Sequence, residues 1–180
     1  MNTPAPYPVI VVGLPRSMTY WLAQTLGFDH DATAWPVVDR KPGLCETGLY
    51  LLPREVWHSY LDHQTKVIYL RRPQDQVEIS MAALFPGIDR PRLRQAMRLS
   101  LRAIKRFLEG RHHITVDSPL DTHGLTRIAA YLRRESELPA WESHLPHKRD
   151  CMREQSEIMK QCHNSLIMAG LLSHPQPSTL

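Results

Sequence analysis

Short apolar runs alternate along the chain with longer segments whose apolar residues recur every three to four positions. Pro8 to Val12 (PVIVV) is β-branched and stops at Gly13, which predicts a short buried strand. Ser17 to Leu26 places Trp21, Leu22 and Leu26 on roughly one side and predicts a helix closed by Gly27. Phe28 to Gly43 carries Pro36, Pro42 and Gly43 and is expected to be a loop over a site. Pro53 to Leu61 is expected to be a helix. Lys66 to Leu70 (KVIYL) predicts a second buried strand, and Pro73, at a first helical position, opens a helix running to about Leu84. Pro86-Gly87 is a turn. Pro91 to Leu108 is a long amphipathic helix with Leu93, Met97, Leu101, Ile104 and Leu108 as its apolar stripe. A third strand is expected over His112 to Val116 and a helix over Thr122 to Arg133. Irregular chain follows from Pro139 to Arg149, then a final helix from Cys151 to about Leu171 and a disordered tail from Ser173 to Leu180. Strands alternating with helices imply an α/β fold: one compact domain over residues 1–172, with a parallel sheet flanked by helices and a ligand at the carboxyl ends of the strands.

The chain has 180 residues, 42% of them hydrophobic, which is enough for one core. No apolar run is long enough to cross a bilayer, and residues 1–8 lack the charged and apolar regions of a secretory signal. Cys45, Cys151 and Cys162 form an odd set without CxxC spacing, which suggests reduced thiols and a cytoplasmic protein. The net charge of +4 is local: seven basic and two acidic residues lie between Asp89 and Gly110. Arg90, Arg94, Arg98, Arg102 and Arg106 recur there every fourth residue and are expected to form a solvated helix face. No nucleic-acid or membrane partner is expected, and the oligomeric state is not legible.

The sharpest local feature is the segment from Gly13 to Trp21, GLPRSMTYW, which follows a buried strand and opens a helix. Free N–H groups at a helix start, together with the helix dipole, attract an anion. Arg16 adds a fixed charge, and Ser17 and Thr19 add hydroxyl donors. The segment is not a Walker A loop, because Met18 stands where the second glycine would be and no Gly-Lys pair exists. A second cationic point follows the second strand in Arg71-Arg72-Pro73-Gln74-Asp75-Gln76-Val77-Glu78-Ile79-Ser80. An arginine at a strand's carboxyl end and a serine two turns into the next helix can converge on one phosphate.

These motifs resemble those of the sulfotransferase family. Its 5′-phosphosulfate loop is similar to P-[KR]-S-G-T-T-W, with Pro15, Arg16, Ser17, Thr19 and Trp21 in register, Met18 in place of a glycine and Tyr20 in place of a threonine. The resemblance implies that Pro15, Arg16, Ser17, Met18, Thr19, Tyr20 and Trp21 line the nucleotide site, with Trp21 against the adenine; core packing is the other reading of Trp21. It implies that Arg72 and Ser80 grip the 3′-phosphate, in the form RR-x-x-x-x-V-x-x-S. Arg71, as part of R-x-P-x-D, is the rival and would require an insertion before Ser80. Aligning the family's L-L-P with Leu51-Leu52-Pro53 puts Glu46 at the catalytic base, and Arg16 would stabilise the leaving phosphate. His58, His63 and the loop from Phe28 to Asp31 are the other places for a base.

The expected activity is therefore transfer of a sulfuryl group from 3′-phosphoadenosine 5′-phosphosulfate (PAPS) to a hydroxyl or amine of a small-molecule or glycan acceptor, without a metal. A P-loop kinase of a small molecule and a non-catalytic nucleotide-binding relative are the alternatives. The specific likeness spans Val9 to Ser80, and it is topological only from there to about Leu132.

Overall fold

The computed structural model describes residues 6–33, 39–147 and Leu171. Five parallel strands form one sheet: β1 Val9–Gly13, β2 Asp29–His30, β3 Leu44–Glu46, β4 Lys66–Arg71 and β5 His113–Asp117, in the order β2-β3-β1-β4-β5. β1 is central, with Val12 opposite Glu46 of β3 on one side and Tyr69 of β4 on the other. Among the described residues six α-helices connect and flank the strands: α1 Thr19–Leu26, α2 Arg54–Trp57, α3 Gln74–Leu84, α4 Arg90–Leu108, α5 Thr122–Leu132 and α6 Leu138–Ser143.

The period-two alternation of the strands builds two cores. Ile10, Val12, Leu44 and Val67 face one way and pack with Val77 of α3 and Leu93, Met97, Ile104 and Phe107 of α4. Val11, Cys45, Ile68, Leu70 and Val116 face the other way, against Trp21 and Leu22 of α1, Leu125 and Ile128 of α5 and Trp141 of α6. Both faces of the sheet are thus covered, as a parallel sheet requires. The chain leaves β1 toward β2 and leaves β4 toward β5, so the two connections diverge at the carboxyl ends of β1 and β4. That divergence opens a crevice, the general ligand position in open parallel sheets.

Several expectations shift. The segment from Phe28 to Gly43 is not all loop: Asp29–His30 forms β2 against β3, and β3 itself lies in a stretch given no strand. The helix expected over Pro53 to Leu61 is one turn long, Arg54–Trp57; beyond it the chain tightens, with Ser59 N and Tyr60 N donating to the Val56 and Trp57 carbonyls three residues back. Pro73 is the N-cap of α3 rather than its first helical residue. α6 stands inside the segment expected to be irregular, started by Leu138-Pro139 and anchored by the buried ring of Trp141. The five arginines of the α4 ridge are all exposed, and Arg94 pairs with Glu78 at 2.8 Å. The helix and tail expected after Arg149 lie outside the described residues, apart from Leu171, whose carbonyl accepts from Asp89 N. No helix among the described residues is long and apolar enough to cross a membrane.

Candidate functional site

β1 ends at Gly13, where a Cβ would lie 3.1 Å from both the Leu70 carbonyl oxygen and the Ser17 Cβ, so the loop folds tightly back against β4. The loop then takes positive φ at Arg16 (68°) and at Met18 (66°), the N-cap of α1. Met18 is not a glycine, yet its backbone adopts the left-handed conformation that glycine favours. The thioether holds it there: Met18 packs against the core and its Sδ accepts from Leu120 N at 3.2 Å. Ser17 is wholly buried, and its Oγ has no hydrogen-bond partner among the described residues.

The two cationic motifs come together across the crevice. Arg16 Nε donates to Ser80 Oγ at 3.1 Å, and Arg72 Nη1 donates to the Arg16 carbonyl oxygen. Arg72 is half-buried, its Nε is buried without a partner among the described residues, and burial lowers its pKa from the ordinary value. Arg71 points the other way, into an ion pair with Asp117 at 2.7 Å with both side chains well exposed. The alternation along β4 therefore turns one arginine of the pair to the crevice and the other to solvent.

Glu46 ends β3 opposite Val12 of β1 and is 1% exposed. Its Oε1 accepts from the backbone N–H of Thr47 (3.0 Å) and Gly48 (2.8 Å), and its Oε2 from Thr33 N (3.1 Å). Burial, and then the charge of Asp31, push its carboxyl up to about 6. Asp31 shares the Thr47 N–H at 3.0 Å and takes the Thr47 hydroxyl at 3.1 Å; burial raises its pKa as well. His30 Nδ1 lies 3.3 Å from Asp31 Oδ2, and His30 Nε2 lies 3.3 Å from Thr19 Oγ1. The Tyr20 ring meets the imidazole edge-on at 5.2 Å. Burial lowers the imidazole to about 4, against the raising effect of Glu46.

Of the other expected residues, Pro15 is exposed, and Trp21 is buried in the core with its Nε1 donating to the His144 carbonyl at 3.2 Å. Trp21 therefore serves packing. His58 and His63 are exposed on the chain leading to the amino end of β4, away from the loop. Two cavities, of about 520 and 270 Å³, also lie at that amino edge, the first bordered by Tyr7, Phe28 and Lys66 and the second by His63 and His112. His30 and Asp31 lie in the loop from Phe28 to Asp31 named as another place for a base, though neither was singled out; the residue missed from sequence is Ser118 at the end of β5, whose Oγ is buried and unpartnered among the described residues. The available signal for His30 and Asp31 was the polar triplet Asp29-His30-Asp31 inside an otherwise turn-like segment.

Chemically, one end of the crevice gathers two guanidinium groups and three hydroxyls, and the other a histidine and two carboxyls. The buried, unpartnered Ser17 Oγ and Arg72 Nε give the first end donors suited to an anion such as a phosphate or a sulfate. Among the described residues no group of three or more His, Cys, Asp or Glu side chains is placed to hold a metal ion. No family model, curated protein or solved structure matches this chain.

Proposed function

We propose that the crevice is the donor site of a PAPS-dependent sulfotransferase built on a P-loop-type sheet. One observation carries this reading: Arg16 is hydrogen-bonded to both Arg72 and Ser80, 56 and 64 residues further along the chain, in one cluster at the divergence of β1 and β4. The loop's Ser17, Thr19 and α1 N-terminus would take the 5′-phosphosulfate, and Arg72 with Ser80 the 3′-phosphate. PAPS, when bound, would supply an activated sulfuryl group. Arg16, in the loop and bonded to Ser80, would lie between the two proposed phosphate positions, suited to charge that grows on the leaving phosphate. Glu46, with its carboxyl near 6, is ionised at neutral pH; its Oε1 already accepts two N–H bonds, so Oε2 is the oxygen suited to take an acceptor's proton.

The test is Glu46→Gln, assayed with labelled PAPS against phenols, sugars and amines. The amide oxygen can keep the Thr47 and Gly48 bonds, while the amide nitrogen faces the Thr33 N–H and loses that one. Nucleotide affinity should hold within a few-fold, and transfer should fall by about 10²–10⁴-fold. The parent rate should rise with pH through about 6, where Glu46 ionises. An equally active variant removes Glu46 from the mechanism.

A further inference from the structure

The first hydroxyl of α1 already has a partner. Thr19 is 4% exposed and its Oγ1 meets His30 Nε2, while His30 Nδ1 faces Asp31 Oδ2. A threonine hydroxyl has one proton to give. With Asp31 ionised, the tautomer that suits this geometry puts the imidazole proton on Nδ1, so Nε2 accepts the Thr19 O–H. In that arrangement Thr19 presents only lone pairs to the loop, where an anion needs donors. Adding a proton to Nε2 reverses the bond: Nε2–H donates to Thr19 Oγ1, and the Thr19 O–H is released to donate to the loop.

We propose that His30, seated by Asp31, sets whether Thr19 can donate to a phosphate or sulfate group in the loop, so that the anion is taken up together with one proton on His30. The inference rests on the reading of the loop as an anion site. That site has an independent mark in the buried, unpartnered Ser17 Oγ, one residue before the N-cap of α1. Among the described residues, the titratable groups around the imidazole are Asp31 beside it, Glu46 and Cys45 on β3, and the Tyr20 ring on α1. The charge of Glu46 favours an imidazolium, and so does Asp31 when ionised, from its place at Nδ1. Burial opposes it and keeps the ring neutral at neutral pH when no anion is bound. An arriving anion adds the negative charge and the demand for an O–H donor that tip the balance. The proton comes from solvent; no bond other than N–H is made.

Calorimetry in buffers of different ionisation enthalpy measures the protons taken up per anion bound. Two probes are used, adenosine 3′,5′-bisphosphate and inorganic sulfate, the second of which does not itself titrate between pH 6 and 8. The parent should take up about one proton more than His30→Gln with either probe, and its affinity should fall by up to about tenfold per pH unit as pH rises. His30→Gln should bind with little pH dependence from this site. Thr19→Val should lose the uptake and Thr19→Ser restore it, which keeps the test open if the histidine variant does not fold. Equal uptake in parent and His30→Gln, or uptake unchanged in Thr19→Val, overturns the proposal. If sulfate binds with proton uptake but the bisphosphate binds no better than sulfate, the PAPS reading fails while the role of His30 stands. If neither probe binds, both fail.

Discussion

Adjacent arginines at the end of β4 divide two jobs. Arg71 is held at the surface by Asp117, and Arg72 turns under the loop to the Arg16 carbonyl. Arg72→Ala should weaken binding of adenosine 3′,5′-bisphosphate by about 1.5–3 kcal/mol, the range for a hydrogen bond to a charged group. Arg71→Ala should change it by under about 1 kcal/mol, because exposed ion pairs contribute little. Isothermal titration checks both, and reversed effects would move the 3′-phosphate to Arg71. Met18 gives a second prediction. Its left-handed backbone costs a non-glycine residue about 1–2 kcal/mol, offset by core packing and the Leu120 contact. Met18→Gly and Met18→Ala lose the same side-chain contacts, but only glycine relieves the backbone. Urea unfolding should find Met18→Gly more stable than Met18→Ala by about 1 kcal/mol; the opposite order would mean that the loop does not hold φ near 66° in solution. The residues of the proposed anion loop were legible because such a loop is local: its donors follow one another in sequence. The loop from Phe28 to Asp31 was named, but the part proposed for His30 was not, because it arises from a contact with Thr19 across eleven residues that no spacing rule anticipates.

Long elements were readable and short ones were not. β1, β4, α3, α4 and α5 carry enough residues for a period to emerge, whereas β2 has two residues and β3 three. β3 also ends in a buried glutamate, which runs against the usual composition of a strand and becomes intelligible once its three backbone donors are seen. The ends of β2 and β3 bring opposing titrations together. His30, lowered to about 4 from 6.5, binds fewer protons folded than unfolded between those values, so its contribution to stability grows as pH rises from 4 to 6.5. Glu46, raised from 4.5 to about 6, binds more protons folded, so its contribution is present below 4.5 and is lost as pH rises to 6. Unfolding free energies of the parent and His30→Gln, taken from pH 4 to 7.5, should diverge in a defined sense. The parent's advantage should grow by an amount of order 2–3 kcal/mol between pH 4 and 6.5 and then level off. A constant difference would mean that the imidazole is not desolvated.

At the scale of the molecule, sheet order decides where chemistry is possible. The sequence supports alternating strands and helices, but which strands neighbour one another depends on contacts between distant segments, and it is the pairing of β1 with β4 in the order β2-β3-β1-β4-β5 that brings the loop at Arg16 to Arg72. The amino edge has the two cavities, lined in part by Lys66, Arg111 and Arg134, while the carboxyl edge collects Arg16, Arg72, Ser17, Thr19 and Ser80 in the crevice. The central claim is that this edge binds a nucleotide carrying two separated phosphates. Its most direct test is a melting series with adenosine 3′,5′-bisphosphate, AMP and ATP with Mg²⁺ at equal concentrations. A ligand at about 100 times its dissociation constant stabilises by about 2.7 kcal/mol. The bisphosphate should raise the melting temperature above both of the others, and Arg72→Ala should remove most of that advantage. Equal or greater stabilisation by ATP with Mg²⁺, or a bisphosphate shift that survives in Arg72→Ala, would contradict the claim.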